Sequence, residues 1–334
     1  MELSFNYPLD AYEHLQTRRY LQHLPWIWKN LVNGQTKGAL LVMVAGVLWG
    51  VTGIIVKTIY ALTSLGPISI SLFRLLLALP FLIGLVAIRK YDLSMTRREV
   101  GIFAGFGFCS LTVFVTVYFA SFAYTTVQHA AALLYTAPTF VAVLSWIILK
   151  ERMTRSKIAS VVLSVLGAFL IVGILKGGQL FASKTQIGDW LAIGSGLAYS
   201  TWYIFGKVLG RNREAAVVCV FGMSFGAFFL FLVSIATGTF QFPNSQIAWE
   251  LLVALGVFPT ALAYLFYLSG LKLIDATKAS VFAIVEPVTA VILGALLLQE
   301  AFSYDSLVGF ILIVSSILLI SRPASGSSTG VIPV

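Results

Sequence analysis

The sequence predicts an all-α, polytopic membrane protein: ten transmembrane helices in two inverted five-helix repeats, with both termini cytoplasmic. Three observations lead there. Only 10% of the 334 residues are charged and 59% are hydrophobic, with a mean hydropathy of +0.94. Soluble domains carry about 25% charged residues, and a chain so poor in polar surface cannot cover its apolar area against water. The apolar residues fall in membrane-length runs. Those runs repeat: Gly38, Gly46, Trp49 and Lys57 recur 150 residues on as Gly188, Gly196, Tyr199 and Lys207. Gly107, Tyr118, Pro138 and Glu151 recur 149 residues on as Gly256, Tyr267, Pro287 and Glu300.

A bilayer core of about 30 Å takes about 20 apolar residues per helix. The first five segments that meet this length are 39–60, 68–88, 100–120, 128–149 and 157–174. The third and fourth are parted only by a short link near Thr125 and Thr126. The second five are 189–209, 215–236, 248–270, 279–298 and 305–321. Glycine and proline inside these runs are compatible with membrane helices, where small residues permit close approach. The chain thus divides into an N-terminal extension 1–37, a first repeat 38–174, a linker 175–187, a second repeat 188–321 and a disordered tail 322–334. In the extension, Trp26, Ile27 and Trp28 beside Lys29 fit an interfacial anchor; a plain disordered segment fits equally well. Glu2, Asp10, Glu13, Arg18 and Arg19 interrupt any apolar core there, so no cleavable signal peptide is expected.

Orientation follows from the basic residues. With the N-terminus placed in the cytoplasm, 18 of the 22 Lys and Arg fall on the inner side and 3 (Lys57, Lys176 and Lys184) outside, while Arg74 lies within helix two. That bias puts both termini inside. Five helices per repeat is an odd number, so the second copy enters the membrane from the opposite side and the repeats are inverted. The net charge of +9 therefore reads as an orientation signal, not as nucleic-acid binding. Cys109 and Cys219 sit singly in helices three and seven without CxxC spacing, which argues for packing roles and against a metal or disulfide framework.

The first half carries Ala45-Gly46-Val47-Leu48-Trp49-Gly50 in helix one, Phe73-Arg74 with the following leucines in helix two, and Ala137-Pro138 and then Leu149-Lys150-Glu151 in helix four; the second half carries Glu286-Pro287 and then Leu298-Gln299-Glu300 in helix nine. Together they resemble the drug/metabolite transporter superfamily in its EamA-type branch, over about 38–320. The resemblance implies ten helices with both termini inside, and export or exchange of small metabolites such as amino acids through a central cavity. It leaves the substrate open.

Arg74 is a charge about six residues into helix two, roughly 9 Å below the outer surface at 1.5 Å per residue. A buried charge costs at least about 2.5 kcal/mol at the bilayer centre, so it faces a cavity, a partner or, by snorkelling, the surface. In a cavity its fork suits a carboxylate. Its repeat partner is the uncharged Ser224. Glu286, whose partner is Ala137, sits deep in helix nine before Pro287. It reads as a proton-coupling carboxylate, a ligand for a substrate ammonium, or a structural partner of Lys278. Depths that differ on the order of 10 Å in a 30 Å core argue against direct pairing of Arg74 with Glu286. Pro138 and Pro287 mark helix kinks. Trp49, Tyr118, Tyr135, Trp202, Tyr203, Tyr264 and Tyr267 lie within helices, where they either pack the core or wall an amphipathic cavity. His129 reads as a polar cap, and His14 and His23 stand apart in the extension. Lys150-Glu151 and Gln299-Glu300 read as solvated helix ends.

No Walker A, GxSxG, HExxH or DxD motif is present. The expected function is secondary transport by alternating access, as an exporter or exchanger, with no catalytic residue, metal or cofactor. The expected partners are a small-molecule substrate, the lipid bilayer and protons as coupling ion. An uncoupled channel-like facilitator is the first alternative. An integral membrane enzyme is the second, disfavoured by the single deep carboxylate. Oligomeric state is left open.

Overall fold

The computed structural model describes residues 34–125, 127–172, 184–298 and 304–321. The expectations for residues 1–33, for most of the linker and for the tail 322–334 fall outside the described residues, as does the side chain of His129. Every regular element among the described residues is helical. Among the described residues six stretches are long and apolar enough to cross a membrane: Gly34–Leu62, Pro67–Arg89, Arg97–Ser121, Ala215–Ala236, Gln246–Leu271 and Ala276–Leu297. Ala137–Leu149 and Leu307–Ser321 are shorter apolar helices. Only helices satisfy every backbone group internally in hydrocarbon without closing into a barrel, so a chain this apolar has little other choice.

In chain order, α1 is Gly34–Leu62 and α2 is Pro67–Arg89, with Pro67 at the first turn, where a missing N–H costs nothing. Lys90 ends α2 in the left-handed region at φ 52°, its N–H donating to the Ala87 carbonyl and the Tyr91 N–H to the Val86 carbonyl. A reciprocal cap between Thr96 and Glu99 starts α3, Arg97–Ser121. Next come α4, Val127–Leu134, and α5, Ala137–Leu149. The expected helix 128–149 is therefore broken. Pro138 has no N–H for the carbonyl one turn back, and its ring crowds that carbonyl. α6 is Arg155–Val172, α7 Gln186–Leu209, α8 Ala215–Ala236 and α9 Gln246–Leu271. The expected helix 279–298 is broken in the same way by Pro287, into α10, Ala276–Ala283, and α11, Val285–Leu298. α12 is Tyr304–Ser321.

The duplication reaches the backbone. α3 widens into a π-helix over Gly107–Val113, and α9 does so over Val257–Leu262. Thr112 donates to the Gly107 carbonyl at 3.2 Å and Thr260 to the Leu255 carbonyl at 2.8 Å, the same five-residue reach in both segments. Packing is crossed: α1 lies against α9, α10 and α11, whereas α7 lies against α3, α4 and α5.

Glycines permit several close helix approaches, two of which bear on the site. A Cβ on Gly107 would lie 2.5 Å from the Gly226 nitrogen, so α3 and α8 touch backbone to backbone. A Cβ on Gly50 would lie 2.6 Å from Thr289 Cβ and 2.8 Å from the Glu286 carbonyl. Gly50 thus brings α1 onto the first turn of α11 and sets Trp49 beside the break.

One face of the bundle gathers charged pairs. Arg213 meets Glu99 at 2.7 Å and Asp92 at 3.6 Å, stitching the loop before α8 to the start of α3. Hydrogen bonds from Ser94, and then the Arg213 charge, hold the Asp92 carboxyl below its usual range. Glu151, expected as a solvated helix end, is instead buried to 8% side-chain exposure beside Lys157. Its carboxylate accepts the first amides of α10, a contact between distant parts of the chain that neighbouring residues do not announce. We call this the basic face. Toward the other face, Asp189 is fully buried and accepts from Thr125 and Thr185, tying the α3–α4 turn to α7. Large apolar side chains such as Ile83, Trp146, Phe228 and Leu296 point outward, as lipid contact requires.

Candidate functional site

A cavity of about 210 Å³ opens where α1, α2, α3, α7, α9 and the break before α11 converge. At one end it is lined by Val56, Tyr60, Pro67 and Ile70, near the end of α1 and the start of α2, away from the basic face. Tyr60 there is 46% exposed. Deeper in, Arg74 enters from α2 and Glu286 from the first turn of α11. The two charges act on each other across the cavity, and the guanidinium lies beside the Tyr264 hydroxyl. Among the described residues no salt bridge joins Arg74 to Glu286. Lys278 turns away to donate to Gln35 at 3.1 Å, so it does not neutralise Glu286.

Among the described residues six buried side-chain polar atoms have no hydrogen-bond partner, and two of them, Arg74 Nε and Trp49 Nε1, belong to cavity-lining residues; Trp202 Nε1 and the Tyr267 hydroxyl, in the ring cluster next to it, are two more. Buried donors ordinarily find an acceptor, and leaving one unmade costs about 1–3 kcal/mol. The Arg74 and Trp49 donors on the cavity wall make the site suited to a ligand bearing acceptor oxygens.

Six of the residues singled out in the sequence line this space: Trp49, Arg74, Tyr118, Tyr135, Tyr264 and Glu286. Trp202 and Tyr203 lie behind its wall, 1% and 2% exposed. There they join Tyr267 in a ring cluster: Trp202 is 4.4 Å from Tyr264 by centroid, Tyr203 is 5.3 Å from Tyr267, and Trp49 is 5.3 Å from Tyr267. The cluster packs against two lining residues, Trp49 and Tyr264. Pro138 and Pro287 border the two helix breaks and are buried. Tyr199, the repeat partner of Trp49, lines the cavity as well, a place that its repeat position signals in the sequence. Thr52 and Ser71 also line it, and nothing in their sequence context distinguishes them. Among the described residues no group of His, Cys, Asp and Glu could hold a metal ion.

The EamA-like transporter family matches this chain twice, over residues 36–173 and 186–322. The chain belongs to that family. EamA relatives include YicL, an uncharacterized inner membrane transporter of Salmonella typhimurium, 30% identical over 304 residues that cover 85% of this chain and 95% of the relative. An uncharacterized transporter of Archaeoglobus fulgidus is 26% identical over 85% of this chain and 97% of its own length. A solved crystal structure shares the fold with TM-score 0.76 and 19% identity, covering 86% of this chain and 96% of the other. Membership of the EamA family, with relatives named as transporters and not enzymes, makes this a multi-pass membrane transporter.

Proposed function

We propose that this protein is a secondary transporter, an exporter or exchanger of small metabolites such as amino acids, working by alternating access. One observation supports the reading above others. A guanidinium, a carboxylate and aromatic walls share one cavity at membrane depth, where unpaired charge is costly unless it serves a ligand or ion. Arg74, with the Trp49 indole, suits a carboxylate. Glu286 suits either a substrate ammonium or a coupling proton, and Tyr118, Tyr135, Tyr199 and Tyr264 offer rings and hydroxyls to the rest. Trp202 and Tyr203 act from behind, by supporting the wall.

The finer topology belongs to the same proposal. Ten membrane-spanning helices form inverted repeats over 38–174 and 188–321, joined by the linker 175–187, with the broken pairs α4–α5 and α10–α11 each counted as one crossing. The crossed packing of α1 and α7 and the paired π-segments support that arrangement. The basic face is then cytoplasmic by the distribution of Lys and Arg, and the Tyr60 end of the cavity opens outward.

The test is uptake into liposomes holding the purified protein, using a panel of labelled amino acids, nucleosides and sugar phosphates. At least one compound carrying a carboxylate or other anionic group is expected to enter faster than into protein-free vesicles. Uptake of uncharged solutes alone would refute the assigned site.

A further inference from the structure

The turn between α9 and α10 is gripped from both sides by charged side chains of other helices. On one side Lys207 of α7 donates to the carbonyls of Leu271 at 2.6 Å and Ile274 at 2.5 Å. On the other, Glu151 at the end of α5 accepts from the Ala276 amide at 2.6 Å and from the Thr277 hydroxyl at 3.0 Å. Lys157 of α6 bridges Glu151 at 3.6 Å and Asp275 at 2.8 Å. Ser145 adds a hydroxyl contact to Thr277 at 2.8 Å. The signs match the backbone: a cation sits on the carbonyl end of α9 and an anion on the amide end of α10. Tyr264, which lines the cavity, and Tyr267, which packs against the lining residue Trp49, lie on α9 just before this turn.

We propose that Lys207 and Glu151 form a clamp that is the cytoplasmic gate, closed in this structure, and that its release lets the α9–α10 corner move and open the cavity to the basic face. The proposal rests on the alternating-access reading above. Its second support is the repeat. Lys207 and Glu151 are the partners of Lys57 and Glu300, and the α9–α10 turn is the partner of the α3–α4 turn. By sequence alone, the same two residue types recur at the repeat-related positions. An inverted duplication needs such a set, because the two gates must exchange states. Charge-assisted bonds to helix ends suit a gate, since they hold the backbone firmly when made and are released as a discrete unit.

The test is cysteine accessibility in membrane vesicles, in a Cys109→Ser, Cys219→Ala background. Ser280→Cys reports from α10, where Ser280 is 1% exposed. Thr52→Cys reports from the cavity. A membrane-impermeant maleimide is added from the basic face for the first and from the opposite face for the second. Lys207→Met is expected to raise the Ser280→Cys rate about tenfold, equivalent to about 1.4 kcal/mol, and to lower the Thr52→Cys rate. Glu151→Gln keeps the shape of the carboxylate and is expected to shift both rates the same way by less. It decides the matter if Lys207→Met does not reach the membrane. Unchanged rates, or a rise at Ser280→Cys alone, would reduce the clamp to a structural brace. Labelling needs no substrate, so the gate can fail with transport intact, and transport can fail with reciprocal labelling intact.

Discussion

Arg74→Ala is expected to abolish measurable uptake while leaving the protein folded and in the membrane. In the wild type the guanidinium sits on the cavity wall with Nε unpaired and Tyr264 alongside. A bound carboxylate would complete that donor set. Truncating one member of a buried charge-assisted contact costs about 2–5 kcal/mol, or roughly thirtyfold to several thousandfold in apparent affinity. Arg74→Lys keeps the charge and loses the planar fork, so it falls between the two. Initial rates of uptake across substrate concentration, normalised to reconstituted protein, give the comparison. Normal uptake by a well-folded Arg74→Ala protein would return Arg74 to the role of a side chain reaching for the surface.

Glu286→Gln is expected to uncouple transport from the proton gradient and to leave substrate exchange in place. The amide matches the shape of the protonated carboxyl but cannot release a proton. Glu286 suits coupling because it faces the cavity at the helix break, within electrostatic reach of Arg74 and, among the described residues, without a salt bridge to fix its charge. A gradient of about one pH unit stores about 1.4 kcal/mol, which is tenfold in accumulation at one proton per substrate. That stimulation is expected in the wild type and absent in Glu286→Gln. Equal stimulation of both proteins would remove the carboxylate as coupling site.

Much of this was legible before the fold was known, and the failures have physical causes. The spans are legible because bilayer thickness dictates the length of an apolar run. The breaks at Pro138 and Pro287 were foreseeable as kinks but not as full interruptions, because neighbouring helices decide whether the last turn continues. Arg74 and Glu286 stood out as charges in lipid. Their meeting in one cavity did not, since it depends on Gly50 drawing α1 against the first turn of α11. Trp202 and Tyr203 could not be told from Tyr118 and Tyr135, because which face of a membrane helix meets the cavity is set by its neighbours. Glu151 was misread for a related reason: its partners, Ala276 and Thr277, are 125 and 126 residues away in sequence.

The most direct test of the central claim, a carrier with one cavity exposed alternately to each side, is exchange. Liposomes holding the wild-type protein are loaded with unlabelled compound, diluted, and supplied with a trace of the same compound in labelled form. The account predicts transient accumulation of label above its equilibrium level, because each outward passage returns the cavity ready for an inward one. Label that rises only to equilibrium, at the same rate in loaded and empty vesicles, would mean an open pore and contradict it.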